Sequence, residues 1–476
     1  MGAMQLQELA DELLLSIVDR IDDRVSLCNL ARTCSKFQLL SEPFIYKSVL
    51  VLKGSLVKDV LKPSFTARPT RLSAIKDLAI RYRFDSEEGI EDLEPFLYHM
   101  DQLRHLIIEA PCCNDKPWAF GDRDWESQGR VDYGKLFEAS LSGFLLDSLS
   151  DSLSGSLSNS SPITPRHLAN LQTLTLHSHN AGTGRSRFDL GENAIIFLHP
   201  TLSSIKLSCF NVGPDFPVFQ KYDYQKFHKS TALKNLIFEE CNIAAVGLET
   251  ILTLPKSLQR IALGERMYHL HDNPCKKLRI DSHALSRALD QQSESLIHLS
   301  HTGCFFPHFH VLRTPITHEF SMLTNLKNLE LFWNSFFIFT YFHHGMPPQL
   351  QSLKILGIPT VHIPDLTDRL DRMNLTIQAL DIVAFIAGEP DSDAKKEEII
   401  RGVVLPIGKT YHKRNIDLRV YYIGRSEQQF IPPYMYGEGV PTEVLAYSSS
   451  EEAKNNNIHE LSQSEGSAKS GTPEEQ

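Results

Sequence analysis

Residues 233–265 read LKNLIFEECNIAAVGLETILTLPKSLQRIALGE, and the spacing of their apolar residues decides the fold. Leu233, Leu236 and Phe238 form a triplet: apolar, two residues, apolar, one residue, apolar. Leu258, Ile261 and Leu263 repeat it 25 residues later. The last two positions flank one outward residue, as a short strand requires, and the first sits where the chain turns into that strand. Between the two triplets, AAVGLETILTL has the period of a helix. Parallel strands need a crossover of a dozen residues or more, and this spacing supplies one.

The same triplet recurs on both sides of this stretch. It appears earlier as Ile75-Leu78-Ile80, Leu103-Leu106-Ile108, Leu171-Leu174-Leu176 and Leu202-Ile205-Leu207. It appears later as Leu326-Leu329-Leu331, Leu350-Leu353-Ile355 and Ile377-Leu380-Ile382, with a degraded copy at Leu296-Leu299-His301. Copies start 24 to 38 residues apart, except for a 68-residue interval between Leu103 and Leu171. Most spacings lie in or just above the window of leucine-rich repeats. No single copy can bury its apolar face, so neighbours must stack. Further helices are expected in EGIEDLEPFLYHM, DSHALSRALDQQ and PDLTDRLDRM. The expected fold class is α/β: an irregular solenoid over about 70–430, with curved parallel strands inside and helices outside. A conventional α/β domain shares the strand–helix alternation; the recurring triplet favours the solenoid.

The N-terminus is organised differently. Residues 8–49 (ELADELLLSIVDRIDDRVSLCNLARTCSKFQLLSEPFIYKSV) have the pattern of three helices. The first starts near Asp11 and runs to about Ile21. Asp22 or Asp23 caps the second, and Ser35 caps a third that Pro43 stops. On the first helix, Leu13, Leu14, Leu15, Ile17, Val18 and Ile21 span roughly 200° of arc, about twice the stripe of a helix lying on one core. Such a helix needs burial on two sides, and a unit this small supplies one. The second side is expected to face another chain.

These residues resemble the F-box. Leu9, Ala10, Glu12, Leu13, Leu14, Ile17 and Ile21, followed by Leu27, Leu30 and Cys34, follow the family pattern, and Ala10 stands where the family usually has proline. LARTCSKFQLLSEPFIYKSV is similar to filamentous-fungal F-box proteins, and the 233–265 stretch is similar to their leucine-rich-repeat bodies. The family's position eight residues after the first leucine of a repeat holds an inward Asn or Cys, and Cys241, Cys304 and Asn334 fall there. The resemblance implies an F-box at 1–50 that docks a Skp-family adaptor and, through it, a cullin. Leu9, Ala10, Glu12, Leu13, Leu14, Ile17, Leu30 and Cys34 would carry that contact. The repeats would hold a protein substrate for ubiquitin transfer. A repeat scaffold that binds the adaptor without a cullin is the alternative.

A net charge of −10 and the lack of a basic stripe argue against nucleic acid as a partner. No 18-residue apolar run, cleavable leader or myristoylation signal is present, so no membrane association and a cytoplasmic or nuclear location are expected. The eight cysteines are scattered without a C-x-x-C pair, so neither a zinc site nor a disulfide framework is indicated. A Ser/Leu-rich, low-complexity insertion is expected within about 112–167. From 448 to 476 the chain has six Glu, two Lys and little apolar mass, and reads as a disordered acidic tail.

No nucleophile elbow, phosphate loop or H-E-x-x-H occurs, and the GTGRSR segment at 182–187 reads as a loop. His308–His310 and His343-His344 lack a third ligand at metal spacing, so neither metal nor cofactor is expected and the chain reads as non-catalytic. The aromatic cluster from Phe332 to Phe342 is either core or a surface for the substrate. Trp333, Phe336 and Tyr341 are the candidates for that surface. Tyr421–Met435 is expected to cap the end of the array.

Overall fold

The computed structural model describes residues 6–81, 92–109, 134–141, 167–177, 190–265, 278, 282–302, 322–333, 335–338, 345–372, 375–385, 397–423 and 442–452. The fold is mixed α/β, with strands that are mostly parallel. The described residues fall into two compact units, one up to Leu258 and one from Gln259 onward.

The first unit opens with helices α1 (Asp11–Val18), α2 (Arg24–Ala31) and α3 (Ser35–Ile45). Strands β1 (Ser48–Val51), β2 (Asp77–Ile80), β3 (His105–Ile108), β4 (Thr173–His177) and β5 (Ser204–Ser208) follow. Next come β6 (Asn211–Val212) and β7 (Asn235–Ile243). Strands β1 to β5 and then β7 pair in chain order, all parallel, and β6 adds a short ladder beside β7. The register superposes the triplets: Leu78 lies beside Leu106, then Leu174, Ile205 and Leu236. Each of these is at most 1% exposed, so each contributes roughly 1.5–3 kcal/mol of burial.

The second unit has the same plan. Strands β8 (Arg260–Glu265), β9 (His298–Thr302), β10 (Asn328–Phe332), β11 (Ser352–Pro359), β12 (Ala379–Phe385) and β13 (Asp417–Tyr422) pair in parallel and in order. The last strand, β14 (Val444–Ser448), runs antiparallel to β13. Three expected helices are present as Ala245–Leu252, Ser282–Asp290 and Ile363–Arg372. Within EGIEDLEPFLYHM the described residues from 92 onward form the short helix Glu94–Leu97.

A backbone bend recurs at one repeat position, two residues after the last apolar of the triplet. Cys209, Glu240 and Gly357 occupy it with φ of 65°, 51° and 68°. The left-handed residue turns the next side chain inward, so Phe210, Cys241 and Ile358 are buried. Cys241 lies where the repeat pattern places an inward polar residue. Its Sγ is 3.4 Å from the Leu207 carbonyl oxygen and 3.3 Å from that of Glu239. Cys304, Asn334, the 182–187 segment and 424–435 of the expected cap lie outside the described residues.

Within the 112–167 interval, residues 134–141 form a helix, and 112–133 and 142–166 lie outside the described residues. Leu136, Phe137 and Leu141 are buried, and the Ser140 hydroxyl is 2.9 Å from His199 Nε2. At the other end, Ser448 and Ser449 are buried, and the Leu418 N–H donates to Ser449 Oγ at 2.9 Å. Residues 453–476 lie outside the described residues.

Candidate partner-binding surfaces

The N-terminal helices pack on one small core of Leu14, Phe37 and Leu40, against which Leu9, Leu30 and Cys34 lie half-buried. Local chemistry sets the helix ends. Asp23 caps α2, accepting from the Val25 N–H, the Ser26 N–H and the Ser26 hydroxyl at 3.2, 2.8 and 2.6 Å. The Ser26 hydroxyl bond leads in holding that carboxyl below its ordinary value. Ser35 is not the cap of α3. Cys34 occupies the cap position without a side-chain bond, and Ser35 is the first helical residue. Nor does Pro43 end that helix, which continues to Ile45. A proline this close to the C-terminal end forfeits little of the hydrogen-bond ladder.

Helix α1 ends at Val18, short of the expected Ile21. It buries Leu14 and Val18 at 1% exposure each, yet leaves Leu13, Leu15 and Ile17 exposed at 56%, 39% and 43%. The structure therefore divides the expected adaptor-contact residues. Ala10, Glu12, Leu13 and Ile17 are at the surface, Leu14 is inside the core, and Leu9, Leu30 and Cys34 support that core. Leu15 was missing from the expected set, although its place on the helix was readable.

Helix α3 is tied to the helical turns between β1 and β2. Glu42 on α3 accepts from Arg68 at 2.8 Å and from Arg71 at 2.6 Å. Burial raises the Glu42 carboxyl, but the two guanidinium groups outweigh it and hold the group below its ordinary value. Arg71 also lies 5.0 Å over the Tyr46 ring, and the Tyr46 hydroxyl is 2.8 Å from Ser64 Oγ.

The second candidate surface is in the second unit. The residue between the last two apolar positions of each copy points away from the apolar layer, so Glu330, Lys354, Asp381 and Arg419 stand side by side in register. Arg419 grips Asp381 with two bonds of 2.6 and 2.9 Å, and Lys354 reaches Glu443 at 2.6 and 2.8 Å. Burial pushes the Asp381 and Glu330 carboxyls up, more than their cationic neighbours pull them back. His298 lies 4.0 Å from Glu330 and is pushed down to about 4, chiefly by burial. Beside this charged row, Phe332, Leu356, Val383, Phe385 and Ile423 form an apolar cluster with Trp333 and Tyr421 at its margin. Trp333 stacks on His362 at 5.5 Å. Phe336 is a core residue, 4.7 Å from the His301 ring, and Tyr341 lies outside the described residues.

The degraded repeat explains itself chemically. His301 takes the place of an apolar residue and is fully buried. Its Nε2 is 2.9 Å from Glu265 Oε1 and its Nδ1 is 2.6 Å from Ser335 Oγ. The Ser–His–Glu order is that of a hydrolytic triad, but Ser335 is 0% exposed and its Oγ also accepts the Phe337 N–H at 3.3 Å. The arrangement satisfies polar groups inside the core and starts the turn at 335–338. His308, His310, His343 and His344 lie outside the described residues.

Among the described residues, no group of three or more His, Cys, Asp and Glu is placed to hold a metal, and no helix is long and apolar enough to cross a membrane. No protein-family model matches this chain, and no curated protein matches it significantly.

Proposed function

We propose that the chain is an F-box/leucine-rich-repeat substrate receptor. Its N-terminal helices dock a Skp-family adaptor of a cullin ubiquitin ligase, and its repeat body binds a protein substrate. The observation that carries this reading is the division of the apolar residues of α1, with Leu14 and Val18 inside and Leu13 and Ile17 in water. An eight-residue helix exposing three large aliphatic side chains is best accounted for by a second chain covering them. Further support comes from parallel strands that pair in chain order within each unit, and from the left-handed bend at one repeat position.

In this reading the protein contributes proximity, raising the effective concentration of substrate at the transfer site, and performs no bond chemistry itself. The half-exposed charged row beside the Trp333 margin is the part of the body suited to reading a substrate. Its paired charges give specificity more than affinity.

Mixing the purified chain with a Skp-family adaptor tests the reading. Ile17→Asp should weaken binding by at least about 30-fold, the size of a hot-spot loss, with the melting of the body unchanged. Adaptor binding that survives Ile17→Asp would sink the assignment. Adaptor bound without recruitment of a cullin would identify a non-degradative scaffold instead.

A further inference from the structure

We propose that the partner grips α1 from both flanks and sets lysine or arginine side chains against an acidic ridge between them. The proposal rests on the adaptor-docking reading and specifies the chemistry of the groove that receives the helix. At about 100° per residue, Leu13 and Ile17 lie roughly 100° to one side of the buried Leu14–Val18 direction, and Leu15 roughly 80° to the other. The core closes one half of the circle between those flanks. The other half is the exposed ridge of Glu12, Ser16, Asp19 and Arg20.

A partner that covers one flank leaves either Leu15 or the Leu13–Ile17 pair in water. A partner that covers both must pass over the ridge and dehydrate its carboxylates. From residue 8 to residue 23 the chain carries Glu8, Asp11, Glu12, Asp19, Asp22 and Asp23 against Arg20 alone. Asp11 is engaged by Lys36 at 3.0 Å, and Asp23 by the start of α2. Among the described residues Glu12, Asp19 and Asp22 have no ion-pair partner of their own. Covering them with an apolar or acidic surface would strand buried charge, which is strongly unfavourable. Cationic groups on the partner convert the same dehydration into paired, hydrogen-bonded contacts. They also steer the encounter, so association must depend on salt.

The test measures association and dissociation of a purified Skp-family adaptor with the full chain between 50 and 500 mM NaCl. Four forms are compared: the parent, Ile17→Asp, Leu15→Asp, and Glu12→Gln/Asp19→Gln. All these side chains are exposed, and far-ultraviolet circular dichroism confirms that each variant is folded. The association rate of the parent should fall about tenfold over the salt range, and that of the double Gln variant by less than half as much on a logarithmic scale. Leu15→Asp should weaken binding comparably to Ile17→Asp. Salt-independent association, or a harmless Leu15→Asp, with Ile17→Asp still disruptive, would overturn the two-flank proposal and leave the docking reading standing. A harmless Ile17→Asp would overturn both.

Discussion

Replacing His301 with leucine would restore the apolar triplet that this repeat lacks, yet the structure implies that the change is destabilising. His301 is 0% exposed, and its partners Glu265 and Ser335 are 4% and 0% exposed. The substitution removes a hydrogen bond to a carboxylate, about 1.5–3 kcal/mol, and one to a hydroxyl, about 1 kcal/mol. It leaves the Glu265 carboxyl buried without that partner, at a further cost of about 1–3 kcal/mol. The ring contacts with Phe336 and Phe337 are also lost. Against these losses stands roughly 1.5–3 kcal/mol from burying a leucine. The net is a loss of about 3 kcal/mol, or roughly 6–12 °C in the melting of a unit of this size. Differential scanning calorimetry of the full chain gives the number. The triple variant His301→Leu/Glu265→Met/Ser335→Ala, which removes all three polar groups together, should melt within a few degrees of the parent. A single His301→Leu variant that melts at or above the parent temperature would refute the reasoning, because the network would then place no demand on its members.

Acid sensitivity follows from the buried histidines. Burial pushes His199 down to about 3 and His298 to about 4, so both are neutral in the fold and protonate readily only when it opens. Their contribution is intact above about pH 6.5 and is lost progressively below it. For His199 the loss reaches about 2 kcal/mol at pH 5. Glu239, Glu330 and Asp381, raised by burial, act in the opposite sense as they take up protons. Melts from pH 7.5 to 5 should show a slope that is shallower by about one proton in His199→Gln, and an unchanged slope would contradict this account. Gly357→Ala should cost about 2–4 kcal/mol, because φ is +68° and the new Cβ would clash with the Phe332 ring. Urea unfolding measures it, and a loss under 1 kcal/mol would mean that the ring moves aside freely. Ala10→Pro should stabilise α1 by about 0.4–1 kcal/mol, since Ala10 already has φ −59°. Slower amide exchange over residues 13–18 is the expected readout, and unchanged exchange would count against it.

The triplets located β2 to β5 and β7 to β12 because nearly all their apolar residues are buried. β1 and β13 escaped the same reading. Their first positions hold Tyr46 and Asn415 rather than an aliphatic residue, although Val49, Val51, Leu418 and Val420 are buried as in any other copy. Helix ends were less legible than helices. Whether Cys34 or Ser35 takes a cap, and whether Pro43 stops α3, depends on how much of the hydrogen-bond ladder remains beyond that point. The exposed apolar part of α1 was legible as a wide arc, but assigning Leu14 to the inside required Phe37 and Leu40 from α3. Glu330, Lys354 and Asp381 stand in plain view between the last two apolar residues of their triplets, and Arg419 holds the same place in β13. The meaning of this charged row depended on register, which only the paired strands supply. The helix at 134–141 sits at the edge of a Ser/Leu-rich stretch whose composition conceals Leu136 and Phe137.

The pairing of β3 with β4 keeps His105 beside Thr173 and Ile108 beside Leu176 although 68 residues separate the two triplets. Stretching a connection from the 28-residue spacing of the preceding copies to 68 residues costs less than about 1 kcal/mol of closure entropy. The ladder therefore tolerates between these rungs a long connection, of which 134–141 packs in through Leu136, Phe137 and Leu141. Foreign sequence could enter there, whether a tag, a second recognition segment or a whole small domain, and be carried by the protein without rewriting the strands on either side.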